Sequence, residues 1–231
     1  MTGPPPRSAA PAGGGGATQT RLLLVALAAV LAVTVFAALA AEVREGDVFA
    51  IDRVVLLAFR VAGHLDIPVG PRWLRESARD ITALGGFTVL SLVAAAAIAW
   101  LVGRGRRAEA AVFAATVVLA QAASEVLKHL IDRPRPDLVP QHDLVYSSSF
   151  PSGHALMAPV VYLTLAVVLT AGEAPPAEML WPLCAAALVV AIGVSRVYLG
   201  VHWPTDVLGG WALGVGIAII ATIVLRRVRP R

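Results

Sequence analysis

Polar and apolar positions along this chain fall into long blocks, with little alternation. Residues 22–41 run for 20 positions without a charge, and at 1.5 Å per helical residue that covers the ~30 Å hydrocarbon layer of a bilayer. Further apolar blocks occupy 84–102, 112–127, 155–171, 180–194 (running on toward Gly200) and 207–225. No stretch of alternating residues is long enough for a membrane barrel. The pattern predicts an all-α polytopic membrane protein with six transmembrane helices in one bundle. The block 112–127 is diluted by Gln121, Ser124 and Glu125 and follows Glu109, so its polar groups are expected to face other helices, not lipid.

The segments between the blocks are of two kinds. Residues 1–20 are rich in Pro, Gly, Ala and Ser, with a glycine run at 13–16. Such a segment cannot bury enough apolar surface to offset its chain entropy, so it is expected to be a disordered tail ahead of a single six-span domain, 21–231. A secretory signal peptide is disfavoured, because the apolar run starts late and continues too long. Residues 42–82 mix charges with apolar clusters, with Pro68 and Pro71 as breakers. An interfacial helix in this first outward loop and a solvated loop with incidental apolar contacts both fit.

Composition agrees with a membrane. Of 231 residues 58% are hydrophobic and 15% charged, with mean hydropathy +0.76, whereas a soluble domain carries roughly 25% charged residues. An ordinary cytosolic enzyme, a disordered chain and a collagen-like fibre are excluded. The net charge of +4 belongs with the bilayer and not with nucleic acid. The sole cysteine, Cys184, excludes an internal disulfide and a cysteine metal cage. In its apolar run it is expected to be a small core residue.

Arginines set the orientation. Arg7 and Arg21 precede the first block, Arg104, Arg106 and Arg107 follow the second, and Arg226, Arg227, Arg229 and Arg231 follow the sixth. With six spans these fall on one side, which the positive-inside rule makes the cytoplasm. The expected location is the cell (inner) membrane with both termini cytoplasmic. Residues 42–82, 129–151 and the junction 196–206 then face outward. Those segments carry many arginines of their own, and an anionic ligand would give them a reason.

Three short segments concentrate polar residues at outward span ends. They are Lys128 to Pro136, Pro151-Ser152-Gly153-His154, and Ser195 to Asp206. Lys128, Arg135 and Arg196 offer three cations, two of them able to hold oxyanions in a fork. Ser152 and Gly153 open a helix whose first N–H groups are unpaired and suit phosphate. His154 and His202 supply one nucleophile and one general acid. Asp206, four residues past His202, is close enough to fix its tautomer. These are the parts for phosphoryl transfer at an outward site.

Plainer roles exist for some of these residues. Lys128 could snorkel at a span end, yet it is the sole lysine beside 18 arginines, which argues for a specific geometric need. Arg133 reads as a solvated loop arginine and is left outside the site. His64, His129 and His142 read as surface or capping groups. Metal binding by His154, His202 and Asp206 is disfavoured, since no tight ligand pair occurs. Gly210 and Gly214 form a G-x-x-x-G step that suits close packing within the chain better than dimerisation. Arg79 and Asp80 either line the outward site or mark a helix start, with Asp80 near its positive end.

The series Lys-x6-Arg-Pro, Pro-Ser-Gly-His and Ser-Arg-x5-His-x3-Asp resembles the three-part signature of the type 2 phosphatidic acid phosphatase (lipid phosphate phosphatase) superfamily. It matches at Lys128, Arg135, Pro136, Pro151 to His154, Ser195, Arg196, His202 and Asp206. The resemblance implies a metal-independent, cofactor-free phosphatase. His202 would form a phosphohistidine, Asp206 would orient it and His154 would act as acid and then base. Lys128, Arg135, Ser152, Gly153 and Arg196 would hold the phosphate. The implied partners are the bilayer and a lipid phosphate: phosphatidate, phosphatidylglycerol phosphate or, as first expectation, a polyprenyl pyrophosphate. No nucleic acid is expected, and nothing indicates a homo-oligomer. The alternatives are a phosphotransferase using the same intermediate, or a non-catalytic lipid-binding or transport protein. Vanadate-dependent haloperoxidases resemble the same motifs, but the apolar spans count against that soluble group.

Overall fold

The computed structural model describes residues 14–45, 49–143, 147–170 and 175–229. Its helices are α1 (Gly14–Arg44), α2 (Ala50–Ala58), α3 (Arg72–Ala83), α4 (Phe87–Gly103), α5 (Arg107–Ile131), α6 (Gly153–Ala158), α7 (Thr164–Leu169), α8 (Pro175–Tyr198) and α9 (Pro204–Val228). A π-helical turn, Pro159–Leu163, joins α6 to α7. One small antiparallel hairpin, β1 (Arg60–Val61) and β2 (His64–Pro68), lies between α2 and α3.

α9 is the central post. Gly210 and Gly214 lie against the α6 backbone: a Cβ on Gly210 would sit 2.8 Å from the Ser152 carbonyl, and one on Gly214 would sit 2.3 Å from the Leu156 carbonyl. The G-x-x-x-G step is thus used for packing within the chain. On one side a core forms from Leu90, Ala94 and Leu101 of α4, Phe113 and Ala120 of α5, and Leu156 and Val160. α1 packs along α9, with Phe36 stacked on Phe150 at 5.7 Å, while Leu23, Leu24, Leu27 and Leu31 stay exposed. In water so long an apolar stripe would be a liability; against lipid tails it is the expected surface.

Among the described residues, four helices are long and apolar enough to cross a membrane: Leu23–Arg44, Arg107–Ile131, Met179–Tyr198 and Pro204–Val228. α3 and α4, bent by 46°, add a fifth if they form one span, and Gly153–Leu169 is apolar but shorter. By length and composition, four or five of the six expected spans are thus in place among the described residues. Residues 1–13 of the expected tail lie outside the description, and α1 already begins at Gly14.

Three local expectations change. The segment 42–82 is neither one interfacial helix nor a plain loop: α2 leaves Ile51 and Val54 exposed but buries Leu56 against Val139, Ala155, Trp203 and Val207. Asp80 lies in the last turn of α3, not at a helix start. Cys184 is exposed, because an apolar helix in a bilayer can turn its small residues to lipid instead of to a protein core.

Candidate active site

Three turns at one end of the bundle bring the site together. α5 ends at Asp132 in the left-handed region (φ 44°), a conformation Asp tolerates through local hydrogen bonding. Its carboxylate accepts from Ser148 Oγ at 2.7 Å. The chain then doubles back over the bundle, carrying Arg133 and Arg135. α8 ends at Tyr198 and the chain turns at Gly200 (φ +77°), where a Cβ would meet Arg60 Nη2 at 2.7 Å, so the turn into His202 needs glycine. Ser152 caps α6, its Oγ accepting from Ala155 N at 3.5 Å.

His202 is the centre of this arrangement. Arg135 Nη1 approaches its Nε2 at 3.1 Å, and Asp206 Oδ2 lies 3.3 Å from its Nδ1. A guanidinium can only donate, so Nε2 presents its lone pair and the proton belongs on Nδ1, facing the carboxylate. His202 is 2% exposed. Burial, then Arg196, Arg135 and Lys128, push its pKa well below the ordinary histidine value, opposed in part by the Ser149 backbone. It is a neutral imidazole with its free lone pair turned toward cations.

The three predicted cations do converge there. Lys128 Nζ and Arg135 Nη2 both donate to Ser147 Oγ, at 3.2 and 3.3 Å. Arg135 also donates to the Val201 carbonyl at 2.6 Å. Burial and neighbouring Arg196 bring its pKa down to about 10, which leaves it a cation at neutral pH. Arg196, 1% exposed, donates to Thr82 Oγ1 at 3.1 Å and Asp143 Oδ2 at 2.7 Å. Its Nε is buried without a partner among the described residues. A Cβ on Gly153 would stand 3.4 Å from Lys128 Nζ, and one on Gly86 would stand 3.7 Å from His154 Nε2. Gly85 and Gly86, where α3 gives way to α4, thus make room for the His154 ring.

Behind the histidine lies a second layer that sequence reasoning missed. Arg133 donates to Asp206 Oδ1 at 2.5 Å, to Thr205 Oγ1 at 2.8 Å and to Asp52 Oδ2 at 2.8 Å. Asp52 also accepts from Thr205 N at 2.8 Å. Asp206 Oδ2 further accepts from Trp203 N at 2.8 Å and from Ser149 Oγ. Arg133, read above as a solvated loop residue, is 5% exposed and sits over the Trp203 ring. Its partner Asp52 is 0% exposed. A charge inside the apolar segment of α2 was the one available signal, since a buried carboxylate demands a cation.

Between α4, α5 and α6 a cleft of about 540 Å³ leads away from Lys128, Gly153 and His154, past Glu125 and Gln121, to Leu90, Val117 and Met157. Ser124 is buried as expected, whereas the Glu125 side chain is 49% exposed on this cleft. Among the described residues, no three His, Cys, Asp or Glu side chains form a metal cage.

The class defined by these features is a membrane helix bundle with a basic, histidine-bearing pocket at one end. A family description, the PAP2 superfamily, matches residues 109–230, and the chain belongs to that superfamily. Phosphatidylglycerophosphatase B of Bacillus subtilis is 44% identical over 97 residues, 40% of this chain and 46% of that protein. The chain thus matches about half the length of that relative. Decaprenylphosphoryl-5-phosphoribose phosphatase of Mycobacterium tuberculosis is 32% identical over 163 residues, covering 67% of this chain and 83% of its own length. The crystal structure of a transmembrane PAP2-type phosphatidylglycerolphosphate phosphatase from Bacillus subtilis superposes with a TM-score of 0.77 at 28% identity, covering 87% of this chain and 97% of that one.

Proposed function

We propose that this chain hydrolyses lipid phosphates through a phosphohistidine formed on His202. The observation that carries the reading is the line Arg135–His202–Asp206, in which a neutral imidazole has its proton on Nδ1 and its lone pair facing a cluster of cations. The phosphate group displaces Arg135 from Nε2, and its oxygens take hydrogen bonds from Lys128, Arg135, Arg196 and the N–H groups that open α6. Nε2 attacks phosphorus in line, and the bond to the leaving oxygen breaks as His154 donates a proton to that oxygen. Asp206 stabilises the imidazolium that forms. His154, now neutral, takes a proton from water, whose oxygen attacks phosphorus and releases phosphate from Nε2. No metal enters this scheme.

The bundle crosses the cell membrane six times, with α3–α4 as one bent span and Gly153–Leu169 as a short one. Residues 21–231 make up this domain. The arginines near the start of α5 and the end of α9 lie in the cytoplasm, so the site opens outward at headgroup depth. A lipid there reaches the pocket sideways with its tail still in the bilayer. The relatives named for phosphatidylglycerophosphate and for decaprenylphosphoryl-phosphoribose support a lipid phosphate as substrate.

The test is quenching of turnover in alkaline SDS with a ³²P-labelled lipid phosphate in chelator. An acid-labile, base-stable phosphoprotein is expected from the wild type and none from His202→Ala. Label surviving in His202→Ala would overturn the nucleophile assignment, and loss of wild-type turnover on chelation would overturn the metal-free scheme. Dominant transfer of label to excess glycerol would make the chain a phosphotransferase.

A further inference from the structure

Between the phosphate pocket and the apolar end of the cleft, α5 presents two polar side chains that the proposed chemistry does not use. Glu125 Oε1 lies 3.9 Å from Lys128 Nζ and accepts from Gln121 Nε2 at 3.0 Å. These residues stand about 9 and 15 Å along the axis from the end of α5 at Ile131, at 1.5 Å per residue. Both line the cleft. Phe87 and Val118, also lining it, are 70% and 66% exposed, so the cleft opens on its outer side, where lipid lies. A carboxylate at that depth in a spanning helix needs a reason. An ion pair with Lys128 alone does not supply one, because Lys128 already binds Ser147 and faces the phosphate pocket.

We infer that Gln121 and Glu125 read the leaving group, selecting a phosphomonoester whose alcohol carries further hydroxyl groups and disfavouring a diphosphate. This rests on the hydrolase reading above. With the phosphoryl group held by the three cations, a lipid tail has the apolar cleft as its berth, so the leaving group passes Glu125. Gln121 orients the carboxylate through Oε1. Oε2 and the Gln121 carbonyl oxygen accept from no described residue and stay open to hydroxyl hydrogens. A diphosphate would place its second, anionic phosphate in the same spot. Among the cleft-lining residues Lys128 is the sole Lys or Arg, and it is committed to the transferred group. Repulsion by Glu125 would be poorly screened beside hydrocarbon. The cleft thus argues against the polyprenyl pyrophosphate that was the first expectation from sequence.

The experiment compares kcat/KM on three detergent-solubilised probes: octyl glucoside 6-phosphate, whose leaving alcohol bears hydroxyls and no charge, dioctanoyl phosphatidate and farnesyl diphosphate. The wild type is expected to favour the first over each of the others by about tenfold or more, the discrimination available from a hydrogen bond to a charged acceptor. Gln121→Leu should reduce the ratio of the first probe to phosphatidate. Glu125→Gln should reduce the ratio of the first probe to the diphosphate, and Glu125→Lys should invert it. Ratios on one preparation are insensitive to loss of folded protein. Ratios unchanged in all three variants, or a wild type that prefers the diphosphate, would overturn the inference while leaving the hydrolase reading intact. A wild type inactive on every probe would overturn both.

Discussion

α5 has an ionic knot at each end, and the one past Ile131 lines a pocket. At its start Glu109, 0% exposed, is gripped by Arg106 through both carboxylate oxygens at 2.7 and 2.6 Å, and by Arg229 at 3.3 Å. Arg106 also donates to the Val168 carbonyl at 3.2 Å. That knot ties α5 to the ends of α7 and α9, and its cations reach solvent, with side chains 19% and 28% exposed. Beyond the other end of α5, Arg133 is closed between Asp52 and Asp206, none of them more than 5% exposed. What sets this knot apart is not burial or charge. Asp206 goes on to hold a histidine whose other nitrogen faces cations in search of an anion. A buried salt bridge is weak support for function by itself; an unspent lone pair beside one is stronger.

The largest effect follows from the closed knot. Arg133→Ala leaves two buried carboxylates sharing a site with no cation, a loss of about 3–5 kcal/mol when one partner of a buried pair is removed. Thermal unfolding in detergent should show it, and turnover should vanish with it. Arg133→Lys, a point charge in place of a fork, should recover stability better than activity. Full activity in Arg133→Ala would remove Arg133 from any role behind the histidine.

Next comes the packing that places α6. Gly210→Val would drive a side chain into the Ser152 carbonyl and Leu156 N, the latter 3.0 Å from the first added carbon. Moving the start of α6 by about 1 Å is expected to cost roughly a hundredfold in kcat. Gly216→Ala meets its nearest atom, Val33 Cγ2, at 3.4 Å and should leave turnover within twofold. Equal effects of the two substitutions would mean that α6 is not held by α9 packing.

How much of this was legible in the chain follows the same division. Lys128, Arg135, His154, Arg196, His202 and Asp206 were readable because their spacing ties them to span ends, and topology alone brings span ends together. Arg133 was not: its partner Asp52 lies 81 positions away, and Arg133 by itself looks like an ordinary exposed ion. Apolar periodicity also fails to distinguish a lipid-facing helix side from a core-facing one, since both are hydrophobic. That is why Cys184 reads as a core residue in the sequence. Composition likewise registers Gly153–Leu169 as apolar without registering that it is shorter than its neighbours.

The knot at the start of α5 should matter for stability only. Glu109→Ala frees two arginines that already reach solvent, so the loss should be smaller, about 1–3 kcal/mol for charge-assisted hydrogen bonds. With the folded fraction normalised, kcat/KM should stay within twofold of wild type. A tenfold fall in kcat/KM in well-folded Glu109→Ala would erase the contrast between the two ends.

The smallest effect is the most specific to one end. His202 has its folded pKa depressed by burial and by Arg196, Arg135 and Lys128. Below about pH 6.5 the unfolded chain protonates this histidine while the native protein does not. The unfolded state then binds more protons, and stability falls as pH drops from about 6.5 toward the folded pKa, with no contribution from this group above that window. The same depression keeps the imidazole available for attack, so the His202 limb of kcat/KM should lie clearly below pH 6.5. Arg135→Gln removes one of these charges, 3.1 Å from the ring, so that limb should move up toward the ordinary histidine range, whatever the drop in absolute rate. Glu109→Ala should leave it in place. A wild-type limb already centred near pH 6.5 and unmoved by Arg135→Gln would mean that the cations do not hold His202 neutral.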